Sequence, residues 1–296
     1  MIGRVKKKLS TLRRGFRTRL FGNNHSVRTN LLYRRWHADC RRAWRPRGGS
    51  AGREAADAFR ETGYLVLPPP PSMAPGDLAA LRAKVDTLFA APDAAVELGD
   101  GLKRMVEGLE KIPEIVDFID PELEATLEAY FQSHFKIFGV YFYHTEPNPA
   151  RPYSSFLWHA DNCPSEEIKL MVYLDDVASD TGAMRLKTRS FSDDLKNRGF
   201  IGRDRYESFR AELDDPASTY AAEGPMGTRI LFQNGSAIHK AVLPEREHRD
   251  VVTFVIIPSA VPWRVHYTRT RHLLSTNSGI CMNPYTDEPQ SIGYTE

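Results

Sequence analysis

Through the first twenty residues the apolar positions Ile2, Val5, Leu9, Leu12, Phe16 and Leu20 recur at steps of three and four, while Arg4, Lys6, Lys7, Lys8, Arg13, Arg14, Arg17 and Arg19 fill most of the rest. This spacing predicts a cationic amphipathic helix. Residues 31–45 also read as helix. A glycine-containing break over 46–53 then separates this appendage from the remainder of the chain. Helices are predicted over 54–62, with Gly63 as its stop, over 77–89, where Leu78, Leu81, Val85, Leu88 and Phe89 share one side, and over 121–134. A short strand over 64–67 comes directly after the first of these.

After Lys136 the period changes. Apolar, β-branched and aromatic runs over 137–143, 155–158, 168–174, 183–186, 228–232, 237–242 and 251–257 predict strands, with Pro, Gly, Asn and Asp between them. Seven or more short strands with turn-rich joints imply an all-β core, an antiparallel barrel or two-sheet jelly roll, with the earlier helices flanking it. Three segments result: a basic, partly helical N-terminal extension over 1–52, a main domain over 53–275 and a C-terminal tail over 276–296.

Composition changes this picture in three places. The longest strongly apolar stretch, 251–257, is far shorter than the roughly 20 residues of a membrane-spanning helix. Cys40, Cys163 and Cys281 are odd in number, far apart and without a CxxC pair, which argues against a disulfide framework or cysteine zinc site and for a reducing, cytoplasmic setting. The net charge of +2 hides an asymmetry, because residues 1–50 hold fifteen Lys/Arg against the single acid Asp39. Peripheral contact of residues 1–22 with an anionic membrane surface is one reading of this appendage; a solvated tail stands level with it, and a transit peptide shares its composition. Nucleic-acid binding is not expected, because the rest of the chain is acidic and no reading module accompanies the charge.

The candidate chemistry lies in the β-rich part. His159 and Asp161 are two apart at a predicted strand end, so both project from one face, and His239 lies on a later strand. Two imidazoles and one carboxylate form the facial triad of non-haem iron(II) oxygenases, which leaves coordination positions open for reactants. Spacing alone is weak evidence: nine histidines among 38 acids yield about one His-x-acid by chance, and this chain has four. His37 and Asp39, on a helix, point about 200° apart and cannot grip one ion. His144/Glu146, where a strand runs into prolines, and His248/Asp250, in a hairpin turn, are expected to face solvent, and neither is excluded outright.

The run Trp158-His159-Ala160-Asp161-Asn162, then 168–177 and Thr181-Gly182-Ala183-Met184-Arg185-Leu186, resembles the phytanoyl-CoA dioxygenase family. So do Gly235-Ser236-Ala237-Ile238-His239, Arg249-Asp250-Val251-Val252-Thr253-Phe254 and, upstream, 59–67; the resemblance spans residues 53–260. It implies a double-stranded β-helix (jelly roll, cupin-like), iron(II) and 2-oxoglutarate as cofactors, and His159, Asp161 and His239 as the iron ligands. It also implies Arg249 as the anchor for the distal carboxylate of 2-oxoglutarate and Tyr173 as an aromatic near the cosubstrate. Thr253, four residues beyond Arg249, faces the same way on the strand, which would let its hydroxyl support the same carboxylate; a surface role for Thr253 and a core role for Tyr173 stand level with these readings. Ten residues separate His239 from Arg249, with a turn expected at 243–247, so Arg249 is expected back beside the metal on the adjacent strand. A guanidinium suits that task because its fork matches a carboxylate.

The activity so implied is hydroxylation of a small molecule or lipid-linked substrate with release of succinate and carbon dioxide. Asp161 bears on the outcome, since related halogenases carry a small residue there to admit halide. One rival reading is a cupin-like lyase or isomerase using the ion as a Lewis acid, and another is a non-catalytic membrane-associated binding protein. Arg249 discriminates against the first, which needs no carboxylate anchor. No sequence feature is dedicated to coenzyme A, and the substrate is shaped by segments outside these motifs.

Overall fold

The computed structural model describes residues 25–45, 51–99, 101–147, 154–164, 166–274 and 280–291, with positions 9, 12–13, 15–18 and 20–21 before them. Helix α1 (Val27–Ala43) is capped by Ser26, whose hydroxyl accepts from Thr29 N at 3.1 Å. Tyr33, His37 and Cys40, at steps of four and three, form its buried stripe. The His37 ring donates from Nε2 to the Phe131 carbonyl at 2.8 Å, while Asp39 faces solvent. The helical spacing separates that pair as expected.

Helix α2 (Ala51–Thr62) stops at Gly63, whose φ of 84° lies in the left-handed region open to glycine. Strand β1 (Tyr64–Leu67), helix α3 (Pro75–Ala90), the hairpin β2 (Ala95–Gly99) and β3 (Leu102–Met105), and helix α4 (Pro121–Phe131) come next. Asp120 caps α4 by accepting from Leu123 N at 2.8 Å. Then come β4 (His134–Thr145), β5 (Ile168–Tyr173), β6 (Met184–Leu186), α5 (Arg189–Asn197), β7 (Tyr220–Ala222), β8 (Arg229–Phe232), β9 (His239–Lys240), β10 (Arg249–Ser259) and α6 (Trp263–Thr270). A last hairpin pairs β11 (Ile280–Met282) with β12 (Pro289–Ser291).

The strands form a seven-stranded antiparallel sheet, β1-β8-β5-β10-β4-β3-β2, and a three-stranded one, β7-β6-β9. The predicted all-β core with flanking helices is therefore present. Residues 155–158 are a correction: Ser154–Phe156 is a single 3-10 turn, and strand pairing there is reduced to one bridge between His159 and His239. The β2–β3 hairpin has no clear signature in the sequence because most of its short strands is only partly covered, which blurs the period of two.

Side-chain parity in the large sheet divides the core in two. Phe142, Leu170, Val172, Leu231, Val252, Phe254 and Ile256 point to the helical side, where Phe59, Leu81, Val85, Leu123 and Leu127 of α2, α3 and α4 meet them. Tyr173, Ile230, Phe232 and Val251 point the other way, onto Met184, Leu186 and Ala222 of the small sheet. Strand β10 is buried along its whole length, which is why 251–257 reads as a near-continuous apolar run rather than an alternation.

Candidate metal centre

His159 and His239 are locked together through their backbones: His159 N donates to His239 O at 3.0 Å and His239 N to His159 O at 2.8 Å. This pairing lays the two imidazoles side by side, ring centroids 4.4 Å apart. Asp161 is set by its own amide, which donates to Asn234 O at 2.7 Å. The Nε2 atoms of His159 and His239 then stand 3.3 and 4.0 Å from Asp161 Oδ1. One ligand atom from each of the three residues lies within 4.8 Å of the other two.

The remaining polar atoms of these side chains are engaged elsewhere. His159 Nδ1 donates to Leu157 O at 2.7 Å and His239 Nδ1 to Ala237 O at 3.0 Å, so each Nε2 keeps its lone pair for the common point. Asp161 Oδ2 accepts from Lys169 Nζ at 2.6 Å and from Asn234 Nδ2 at 3.1 Å, which leaves Oδ1 facing the imidazoles. Burial, reinforced by His159, pushes the His239 imidazole down to about 3. Burial by itself would raise the Asp161 carboxyl, yet Lys169 and the two imidazoles override it and hold it well below the usual range. Two imidazole Nε2 atoms and one carboxylate oxygen therefore converge, a donor set suited to a divalent cation.

Trp158 fixes the segment from the other side. Its indole N–H donates to Asp214 Oδ1 at 2.9 Å, and the Lys187 and Lys240 amines lie 5.0 and 4.8 Å from its ring centroid. The tryptophan preceding His159 thus has a packing role separate from the three converging side chains.

The inner face of the large sheet carries an unusual load of polar groups. By register, Arg249 faces Thr145, Val251 faces Tyr143 and Tyr173, Thr253 faces Tyr141 and Met171, Val255 faces Lys169, and Arg104 faces Tyr143. Among the described residues, three buried atoms on this face have no hydrogen-bond partner: Arg249 Nε, Thr145 Oγ1 and Arg104 Nε. Unpaired polar atoms are costly inside a fold, and here two of them, on Arg249 and Thr145, sit directly opposite one another. Burial pushes the Tyr143 phenol up, although Lys169 and Arg104 beside it pull the other way; Asp161 is within its electrostatic reach. These residues fit an anionic cosubstrate better than an apolar core.

Several expectations need correcting. Arg249 does not return on the strand adjacent to His239: β9 pairs with β6 in the small sheet, whereas β10 lies between β4 and β5 in the large one. Residues 241–248 cross between sheets, and Arg249 approaches from the facing wall. His144 and Asp250 are buried rather than solvent-facing, and with His248 they form a second His/His/Asp group. That group is partly paired: His144 bridges Asp250 at 2.6 Å and Glu146 at 2.8 Å, and Arg82 Nη2 lies 2.7 Å from His248 Nε2, while Asp250 Oδ2 has no hydrogen bond. Tyr173 spends its hydroxyl on the backbone, donating to Ala222 O at 2.7 Å and accepting from Met184 N at 3.0 Å. Thr253 is buried on the same face as Arg249. Cys163 is a free, buried thiol at 3.3 Å from Asn234 Nδ2.

Lys169, Asn234 and Arg104 are additions that the sequence motifs do not name. Lys169 has a visible signal, since it is the lone charge inside the apolar strand 168–173. Asn234 has none, because a turn asparagine is ordinary.

Solved structures share this fold. A non-haem α-ketoglutarate-dependent carbocyclase, SnoK from nogalamycin biosynthesis, superposes with a TM-score of 0.54 at 18% identity over 75% of this chain and 94% of its own. HygX from Streptomyces hygroscopicus, solved with nickel, 2-oxoglutarate and hygromycin B, gives 0.51 at 16% identity over 71% and 88%. EctD from S. alaskensis gives 0.53 at 18% identity over 72% and 80%. The fold is a double-stranded β-helix. At these identities the likeness of the β-helix to its neighbours is one of fold. No family model matches the sequence, and no curated relative does. Among the described residues no helix is long and apolar enough to cross a membrane.

Proposed function

We propose that this β-helix protein is an iron(II)- and 2-oxoglutarate-dependent oxygenase, with hydroxylation of a C–H bond as its reaction. One observation carries the reading: Nε2 of His159, Nε2 of His239 and Oδ1 of Asp161 face one point, while every other polar atom of the three side chains is held by a partner of its own. That is the donor set of the two-histidine, one-carboxylate iron centre. Structural neighbours described as α-ketoglutarate-dependent support the reading through their fold.

His159, Asp161 and His239 would hold the iron, and Arg249, with Thr145 and Thr253, would hold the distal carboxylate of 2-oxoglutarate through the guanidinium atom that lacks a partner. Bound there, iron with 2-oxoglutarate and dioxygen supplies an oxidant able to attack unactivated C–H bonds, with succinate and carbon dioxide as coproducts. The chain contributes orientation and shelter. The backbone carbonyls of Leu157 and Ala237 fix the imidazole tautomers, and Lys169 and Asn234 keep the carboxylate from rotating. Phe232, whose ring centroid is 4.9 Å from that of His239, closes one wall to water.

The deciding experiment is anaerobic reconstitution with iron(II) and 2-oxoglutarate, then exposure to oxygen in the presence of pooled metabolites, with succinate and substrate oxidation products as readout. Succinate formed in proportion to a hydroxylated product supports the proposal. Metal bound without any turnover of 2-oxoglutarate would instead favour Lewis-acid chemistry at the same centre.

A further inference from the structure

The described positions between 9 and 21 are helical, and the helix is set the wrong way round for a chain that answers only to itself. Leu9, Leu12, Phe16 and Leu20 are each more than half exposed, at 55%, 64%, 63% and 53%. At about 100° per residue they fall within an arc of roughly 80°. Thr18, about 180° from Leu9 on the same wheel, is buried. It lines a small cavity together with Ala160, Asp161 and Gly202. The helix thus turns a threonine toward the metal centre and an apolar row outward, the reverse of the usual amphipathic packing.

What covers the row is indicated by its surroundings. A groove of about 590 Å³ continues it past Arg13 and Arg17 to Val27 at the start of α1, and Val27 and Leu31 are exposed as well. Fifteen cationic side chains and one acid occupy the first fifty residues. A second copy of this chain would oppose like charges across such a face. An anionic bilayer accepts leucine and phenylalanine at its acyl boundary and arginine at its phosphates.

We propose that this helix docks the protein on an anionic lipid surface and, because its opposite side walls the Asp161 cavity, sets the mouth of the metal centre against that surface. The docking stands independently of the oxygenase reading; the orientation of the centre rests on it. Full-length protein should sediment with phosphatidylcholine vesicles only when phosphatidylglycerol is included. Leu12→Ser/Phe16→Ser, at exposed positions, and Arg13→Glu/Arg17→Glu, at an exposed and a half-buried position lining the groove, should each weaken that binding by about tenfold or more with an unchanged circular dichroism spectrum. Release of bound nickel(II) to a chelator should slow on those vesicles in the wild type and not in the Leu12→Ser/Phe16→Ser protein. Failure to sediment, equal sedimentation of that variant, or a dimer that the same substitutions abolish would overturn the docking. Nickel release indifferent to vesicles would overturn the orientation. Sedimentation by a protein that takes up no metal would support docking while removing the oxygenase reading.

Discussion

Lys169 Nζ lies 2.6 Å from Asp161 Oδ2, the carboxylate oxygen that does not face the imidazoles. Burial works against the charge on this amine, but Asp161 and then Glu167 override it and raise its pKa. The pair therefore remains ionic, and it fixes which oxygen is offered to a metal. Lys169→Met should weaken metal binding by about 10- to 100-fold, the usual consequence of removing a group that orients a ligand. Titration with nickel(II) against a competing chelator measures this, and unchanged affinity would reduce Lys169 to a packing residue.

Arg249 makes a separable prediction. Its guanidinium donates to Gly182 O, leaving Nε buried and unpartnered opposite Thr145. Charged hydrogen bonds contribute about 1.5–3 kcal/mol each, so Arg249→Ala should weaken 2-oxoglutarate binding by roughly 10- to 100-fold while metal affinity stays near wild type. Calorimetric titration of 2-oxoglutarate into the nickel(II) protein reads one, and metal titration reads the other. Equal loss of both would mean that Arg249 holds the fold together and not the cosubstrate.

Much of this candidate site is legible in the sequence because the three residues that could hold a metal lie in short motifs whose neighbours also have structural duties. Trp158 is anchored by Asp214, and His159 pairs with His239 through the backbone. Strands such as 251–257 are readable because burial on both faces leaves an apolar run interrupted by Thr253 alone. The path of Arg249 departs from expectation for a topological reason: the ten residues from His239 look like a hairpin, yet they cross from one sheet to the other. Nothing in local sequence distinguishes the two. His144 and Asp250 depart from it because polar residues at strand ends normally meet water, and here His144 Nδ1 and Asp250 Oδ1 pair in the interior while Asp250 Oδ2 is left without a hydrogen bond.

Tyr173 separates a structural from a cosubstrate role. Its hydroxyl joins β5 to Ala222 of β7 and to Met184 of β6, bridging the two sheets. Tyr173→Phe should leave Met184 N without its acceptor and cost about 1–3 kcal/mol, seen as a lower Tm. The affinity for 2-oxoglutarate should change little. A large loss of that affinity at unchanged stability would return Tyr173 to the cosubstrate pocket.

His144 gives the fold a pH dependence of known sign. Burial alone would push its imidazole down, but hydrogen bonds and charge from Asp250, then Glu146, more than compensate, and its pKa is raised above 6.5. A folded-state value above the unfolded one means stability that is fully present below the unfolded pKa of about 6.5 and is lost as pH rises through the folded value. His144 in turn holds Glu146 below 4.5, and that share is lost as pH falls through the lowered value. The difference in Tm between wild type and His144→Gln should therefore be greatest between about pH 5 and 6.5 and should shrink on either side. Thermal denaturation monitored by circular dichroism from acid to mildly alkaline pH measures it. A difference that instead grew as the solution became alkaline would mean that the imidazole is buried neutral, with Glu146 balanced by Lys103 instead.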